Sequence, residues 1–345
     1  MNKNKNLLPK NLNKNKSIGN LYFQNLIKDS YSHYNLENSF IIFTSINNIL
    51  YLIYSTRKMS IISYNLVDNI KINEIKNAHE MYITNFRHFF DEENKRDLFI
   101  SISAENNNIK LWDINNWELL YNYEKVNKVG ELYSACFLKN SCYNYIITSN
   151  SHLFNTEYIK VFEFNGNILN EINESNFNTF ILEIYYDKNS DINYIIAGNY
   201  GYITSFNFQK NKFYQKYDDG VFTLKRKIYN HLFIYENKEE TKIISSGNDG
   251  NIRIWEFHSG NLLTKVKIIN KSLGSICLLD NDFYCGCEDT EIKLIDLKIR
   301  KIIKSLKGHY KEIINIKKIF HPKYKECLVS QGLYNDYIKL WIKKD

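Results

Sequence analysis

Residues 241–269 read TKIISSGNDGNIRIWEFHSGNLLTKVKII. Positions 241–246 are a short run ending in two Ser, Gly247-Asn248-Asp249-Gly250 is turn-like, and 251–257 is a second run with alternating Ile and Trp. A Ser259-Gly260 pair then leads into 261–269. Asn, Asp and Gly accept a positive φ at low cost, so such a turn between alternating segments predicts a β-hairpin. Similar turns stand at Gly198-Asn199-Tyr200-Gly201 and Glu288-Asp289-Thr290.

The phrase Ile252-Arg253-Ile254-Trp255 recurs as Ile109-Lys110-Leu111-Trp112 and Ile338-Lys339-Leu340-Trp341. Weaker copies are Ile61-Ile62-Ser63-Tyr64, Ile159-Lys160-Val161-Phe162, Ile203-Thr204-Ser205-Phe206 and Ile292-Lys293-Leu294-Ile295. Their last residues fall at 64, 112, 162, 206, 255, 295 and 341, spaced by 40 to 50 residues. Short strands repeating at that period predict an all-β, seven-bladed propeller of four-stranded antiparallel blades. The final unit reaches only its third strand. Residues 21–28 (LYFQNLIK), ahead of a first strand at 40–45, are expected to supply the missing outer strand and close the ring.

Gly308-His309 precedes the last unit, Ala78-His79 precedes the second, and Trp112-Asp113 is a literal Trp-Asp pair. With the Trp-ending phrases, these residues make the chain resemble the WD40-repeat family over about residues 20–345. The resemblance implies, in each complete blade, a His in the entering loop, a Ser or Thr on the second strand, an Asp in the next turn and the Trp. Those four are expected to form a buried hydrogen-bond network. Unit five offers Ser245, Asp249 and Trp255 without a His. Unit seven offers His309, Ser330 and Trp341, with Asn335 at the Asp position and Asp336 beside it. Unit two offers His79 and Trp112, with Asn106 at the Asp position. Unit six keeps Asp289 but has Ile295 for Trp.

The formal net charge is +7, with 44% hydrophobic and 24% charged residues, an ordinary globular balance. Lys3, Lys5, Lys10, Lys14 and Lys16 carry five of the seven surplus charges, so the rest is close to balanced. Residues 1–16 are therefore expected to be a disordered basic tail, and 17–345 the propeller. A balanced body gives no reason to expect a direct nucleic-acid partner. No apolar run is long enough for a membrane-spanning helix, and the N-terminus lacks a secretory h-region. Cys136, Cys142, Cys277, Cys285, Cys287 and Cys327 do not form a disulfide or zinc pattern, which points to a reducing compartment, cytoplasmic or nuclear.

No P-loop, G-x-G-x-x-G, G-x-S-x-G or H-E-x-x-H occurs, so no catalytic residue, cofactor or metal is expected. Gly250 directly follows Asp249, unlike the Asp boxes of sialidase-like propellers. His79, His309, Asp249 and Asp289 are read as structural, and Arg253 as a generic third-strand basic residue. In a propeller, second-to-third strand loops and blade-entering loops share one face. His152 and Phe154, on the long loop 149–157, and Tyr200, Tyr310 and Tyr334 are the candidate partner contacts there. The loops 91–97 and 237–241 are expected to be solvated on the other face. The expectation is a non-catalytic interaction platform, a single propeller working inside a complex with proteins or peptides. The alternatives are a substrate adaptor in ubiquitin ligation, without a helical F-box-like region to support it, and a subunit of an RNA-processing complex.

Overall fold

A computed structural model describes residues 21–27, 39–126, 131–139, 143–149, 159–172, 179–221, 227–237, 240–279, 282–297, 299–334 and 336–343. The candidates His152 and Phe154, as well as Asn335, Cys142 and residues 1–16, lie outside the described residues.

The strand β1 (Leu21–Ile27) precedes a first blade of β2 (Phe40–Thr44), β3 (Leu50–Ser55), β4 (Ile61–Asn65) and β5 (Ile70–Ile75). Blade two is β6 (Ile83–Asp91), β7 (Arg96–Ser103), β8 (Asn108–Asp113) and β9 (Leu119–Tyr123). Blade three is β10 (Ala135–Lys139), β11 (Asn144–Thr148), β12 (Ile159–Glu163) and β13 (Ile168–Ile172). Blade four is β14 (Ile181–Asp187), β15 (Ile192–Gly198), β16 (Ile203–Asn207) and β17 (Lys212–Tyr217). Blade five is β18 (Tyr229–Glu236), β19 (Thr241–Gly247), β20 (Asn251–Glu256) and β21 (Leu262–Lys267). Blade six is β22 (Leu273–Leu279), β23 (Asp282–Cys287), β24 (Ile292–Asp296) and β25 (Lys301–Leu306), and β26 (Ile313–His321), β27 (Lys325–Gly332) and β28 (Ile338–Lys343) follow.

Six sheets run in chain order, and the seventh runs β1-β28-β27-β26. The N-terminal strand therefore completes the last blade, with Phe23 opposite Trp341. The innermost strands touch in sequence from β2 through β6, β10, β14, β18, β22 and β26, and β26 meets β2 again. The structure is a closed seven-bladed β-propeller.

Burial follows this architecture. Each sheet is covered on both faces by its neighbours, so β19 is buried at every position. Outer strands face solvent and read as mixed, as in β5 and β9. The core is divided into slabs between adjacent blades. Leu52 and Tyr54 of blade one pack with Val329 and Leu340 of blade seven, while Tyr185 and Tyr194 of blade four pack with Trp255 and Phe257 of blade five. A buried Ile, Leu or Phe contributes about 1.5–3 kcal/mol. Because each slab draws on two blades, a blade gains that stabilisation only beside its neighbours.

All seven repeat anchors lie on third strands. In blades one to six the ladder to the outer strand shifts register right at the anchor, between Ser63 and Tyr64 in blade one and Ile254 and Trp255 in blade five. Such a bulge adds local twist and turns the exposed outer edge away from flat pairing. The β1·β28 pair has its shift elsewhere, between Asn25 and Ile27.

The second-to-third turns require a left-handed residue. Gly250 has φ 71°, and a Cβ there would stand 2.0 Å from the Ile269 carbonyl oxygen. Asn107, Thr290 and Tyr334 hold the same region with φ 53°, 70° and 59°. One loop departs from its expected character: 91–97 is not simply solvated, since Asp91 and Asp97 are buried. Asp91 accepts from Asn94 and Arg96, while Asp97 accepts from Ile46 N and contacts His88, so the loop is pinned by its acids.

Candidate functional site

The polar chemistry of the ring is concentrated where second strands turn into third strands. In blade seven the Trp341 indole N–H donates to Ser330 Oγ at 2.7 Å, and Ser330 Oγ lies 2.6 Å from His309 Nε2. His309 Nδ1 lies 2.9 Å from Asp336 Oδ2, and both side chains are fully buried. An indole only donates and an ionised carboxylate only accepts, which fixes the proton order. Ser330 accepts from Trp341 and donates to His309 Nε2, and the Nδ1–H donates to Asp336. Asp336 Oδ2 also accepts the N–H groups of Tyr310 and Lys311, at 2.9 and 3.1 Å. Burial holds His309 below the ordinary imidazole range despite the opposing pull of Asp336, so the ring is neutral near pH 7.

Blade seven thus carries the four-residue chain that a resemblance to the WD40-repeat family implies. No other blade of the propeller repeats that chain among the described residues. In blade two Trp112 donates to Ser101 Oγ at 2.8 Å, and Ser101 lies 2.7 Å from His79 Nε2. Ser101, on β7, was absent from the sequence expectation because it sits in an alternating apolar run with no turn signal beside it. Asn106 does not close this chain. Its Oδ1 and the Nδ1 of His79 are buried without hydrogen-bond partners among the described residues. Burial, helped by the nearby Lys110 charge, pushes His79 down to about 3.

In blade five Trp255 donates to Ser245 Oγ at 3.2 Å, but Asp249 does not join it. Asp249 instead takes the Arg253 guanidinium, at 3.1 and 2.5 Å. Arg253 is 1% exposed and its Nε also donates to Asp219 at 2.9 Å. Asp219 lies in the loop entering the blade, where blades two and seven carry their His, and it also binds Lys227 at 2.5 Å and Lys265 at 2.9 Å. Burial opposes ionisation of Asp219, but bonds from Lys227, Lys265 and Arg253 outweigh it and hold the carboxyl well below its usual range. Arg253, the third-strand basic residue, is thus the centre of a buried ion cluster.

Asp289 of blade six pairs with Lys293 at 2.9 Å and takes no indole, since Ile295 stands at the anchor. Asp113 sits at the far end of β8, bonded to Arg96 at 3.3 Å, and is outside the Trp112 chain. Blade four has a neutral counterpart, in which Thr179 donates to Asn199 at 2.7 Å and Asn199 donates to Thr204 at 3.0 Å.

The connections place Tyr200, Tyr310 and Tyr334 on one face, but not in one cluster. Tyr310 and Tyr334 flank the Asp336 turn of blade seven, and Tyr310 is 77% exposed. Tyr200 belongs to blade four, three blades away around the ring. There Phe180 packs edge-on against both Tyr133 and Tyr200, with ring centres 5.1 and 4.7 Å apart. The half-buried trio joins the candidate Tyr200 to Tyr133 and Phe180, which the sequence does not single out because the three lie in separate loops. Within the ring, Arg87 of β6 reaches past blade three to Glu183 of β14, at 2.8 Å. No three His, Cys, Asp or Glu converge as metal ligands among the described residues.

No protein-family model matches the chain. Over 77 residues it is 26% identical to myosin heavy chain kinase C of Dictyostelium discoideum, covering 22% of this chain and 10% of that protein. Over 68 residues it is 28% identical to the U3 small nucleolar RNA-associated protein 21 homolog of Schizosaccharomyces pombe, covering 19% of this chain and 8% of that protein. The chain therefore spans a tenth or less of either curated relative. Among the described residues no helix is long and apolar enough to cross a membrane.

Proposed function

We propose that the chain is a non-catalytic platform that holds other proteins together inside the cell. The observation that carries this reading is the disposition of its polar groups. His309, Asp336, Asp249, Asp219 and Arg253 are spent on one another inside the ring, while Tyr310 and the Phe180 trio are left partly open on the face formed by the blade-entering and second-to-third loops. Rigid scaffolds that present aromatic side chains in this way favour binding over chemistry. Affinity purification from native cells, followed by mass spectrometry, tests the reading. Wild type should recover defined partners, and Phe180→Ala with Tyr310→Ala should lose some of them while still folding. Identical recovery by the double variant would overturn this face.

A second reading is favoured by the similarity to a U3 small nucleolar RNA-associated protein, namely that the partners belong to an RNA-processing complex. In that case the recovered partners should dissociate on RNase treatment, and the chain should concentrate in the nucleus. The near-balanced charge beyond residue 16 supports contact through proteins rather than through RNA directly.

A further inference from the structure

In blades four to seven the residue two places before the anchor and the turn preceding it are matched in polarity. Blade three has Lys160 there, 2.7 Å from the Val126 carbonyl oxygen, and its turn lies outside the described residues. Blade five pairs Arg253 with Asp249, and blade six pairs Lys293 with Asp289. Blade seven sets Lys339 near the carboxylate of Asp336. Blade four, with Thr204 in that place, answers it with the neutral Asn199. Blade one has the apolar Ile62. Blade two breaks the rule. Its cation is Lys110, and its turn offers the uncharged Asn106.

The mismatch sits in a cavity of about 210 Å³ lined by His79, Asn106, Lys110 and Lys125 and by the exposed Glu80 and Glu124. Lys110 Nζ is held 2.7 Å from the Ala78 carbonyl oxygen, which leaves two of its protons for another acceptor. Ser101 accepts from Trp112, and His79 Nε2 is the acceptor within reach of its hydroxyl proton among the described residues, which puts the imidazole proton on Nδ1. That Nδ1–H has no acceptor among the described residues. In blade seven the corresponding N–H meets Asp336, whose same oxygen takes the N–H groups of the two residues after His309. Glu80 and Met81 follow His79 in the same way. Of the two lining acids, Glu124 accepts from Asn122 at 2.7 Å. Asn106 can turn its amide to present N–H in place of its unpartnered oxygen.

We infer that blade two binds a carboxylate, the side chain of an acidic residue on a partner protein, between the His79 Nδ1–H and Lys110. The inference rests on the reading of the chain as an interaction platform and names one of its contacts. The partner's Asp or Glu supplies in trans the carboxylate that Asp336 supplies in cis, reaching the buried Nδ1 from the cavity as the Asn106 amide turns.

The test uses the full chain carrying ¹⁵N-histidine, with the His79 ring followed by NMR against pH. The probes are the peptide acetyl-Gly-Glu-Gly-Glu-Gly-amide, its Gln counterpart, and sodium acetate. The glutamate peptide should shift the His79 ring nitrogens and move its titration upward, and the glutamine peptide should do neither. Lys110→Gln should weaken the response about tenfold or more, the worth of one charge-assisted bond. Asn106→Asp should reproduce the titration shift without ligand and abolish the peptide response. Equal response to both peptides, or an unchanged peptide response in Asn106→Asp, overturns the inference. A response to acetate as strong as to the peptide overturns the partner side chain as its source. If Asn106→Asp and wild type recover the same partners from cells, blade two is not their contact and the platform reading stands without it.

Discussion

Nδ1 of His309 lies 2.9 Å from Oδ2 of Asp336, at the end of a four-residue chain that starts from the Trp341 indole. Ser330 is the link on which both halves depend. Ser330→Ala leaves the Trp341 N–H and the His309 Nε2 buried without partners, at about 1–3 kcal/mol for each. The variant should therefore lose about 2–6 kcal/mol of stability. Urea denaturation monitored by Trp fluorescence checks this, and a change below about 0.5 kcal/mol, the level of an ordinary surface substitution, would contradict it.

Acid should weaken the fold before carboxylates are involved. His79 is held at about 3, against an ordinary value of 6.5, chiefly by burial. His309 is also lowered, and His231 well below 6.5, with burial again the main cause. Below 6.5 the unfolded chain takes up protons that the folded chain refuses, so stability rises with pH there and is lost on acidification. For His79 the window runs from 6.5 down to about 3. Each such His contributes up to about 1.4 kcal/mol per pH unit. Melting temperature should fall steadily from pH 7 to 4, and His79→Gln should flatten the slope whatever it does to the absolute value.

Asp219 sits against three cations with 1% of its side chain exposed, whereas the Asp249 side chain is 20% exposed. Asp219→Ala strands Lys227 in the interior and takes the Nε partner from Arg253, and breaking a buried pair costs about 3–5 kcal/mol. It should destabilise more than Asp249→Ala, as read from thermal melts of the two variants side by side. The reverse order would remove Asp219 from the centre of the cluster.

Removal of β1 exposes the β28 ladder and the sheet edge beside Trp341. Deleting residues 1–30 should lower the melting temperature sharply and promote aggregation through that edge. Deleting 1–16, ahead of the strand, should leave it unchanged. Equal melting temperatures for the two truncations would show that another segment closes the ring.

Burial raises the thiol of Cys136 to about 12 and that of Cys327 to about 11. At pH 8 a thiol with a value of 12 is thiolate in about one molecule in ten thousand, so attack on an aromatic disulfide reagent is slow. These two should label only when the chain unfolds. Rapid labelling of either of them in the native protein would contradict the burial described here.

The anchors were legible because the third strand of every blade is buried on both faces and so repeats the same apolar signature. The closing strand was legible from topology, since a four-stranded last blade lacked a partner for its third strand. Within the blades legibility ended where contacts are made across long sequence separations. Asp219 lies 34 residues from Arg253 in an irregular loop, and no periodic pattern links the two. The choice between Asn335 and Asp336 turns on a one-residue difference in turn length, which composition does not record. Ser101 was hidden for the opposite reason: a Ser inside an alternating strand looks like any other buried small residue until its partners are known.

The antiparallel seam between β1 and β28 has a mechanical consequence. Leu21 pairs with Lys343 at one end of it and Ile27 with Ile338 at the other. The chain therefore leaves both strands at the same end, and tension applied between residues 21 and 343 loads one residue pair at a time. The seam peels rather than shears, reaching the Phe23 and Trp341 pair after only two others. Pulled in this direction, the ring opens like a zipper at one blade while the other six remain closed.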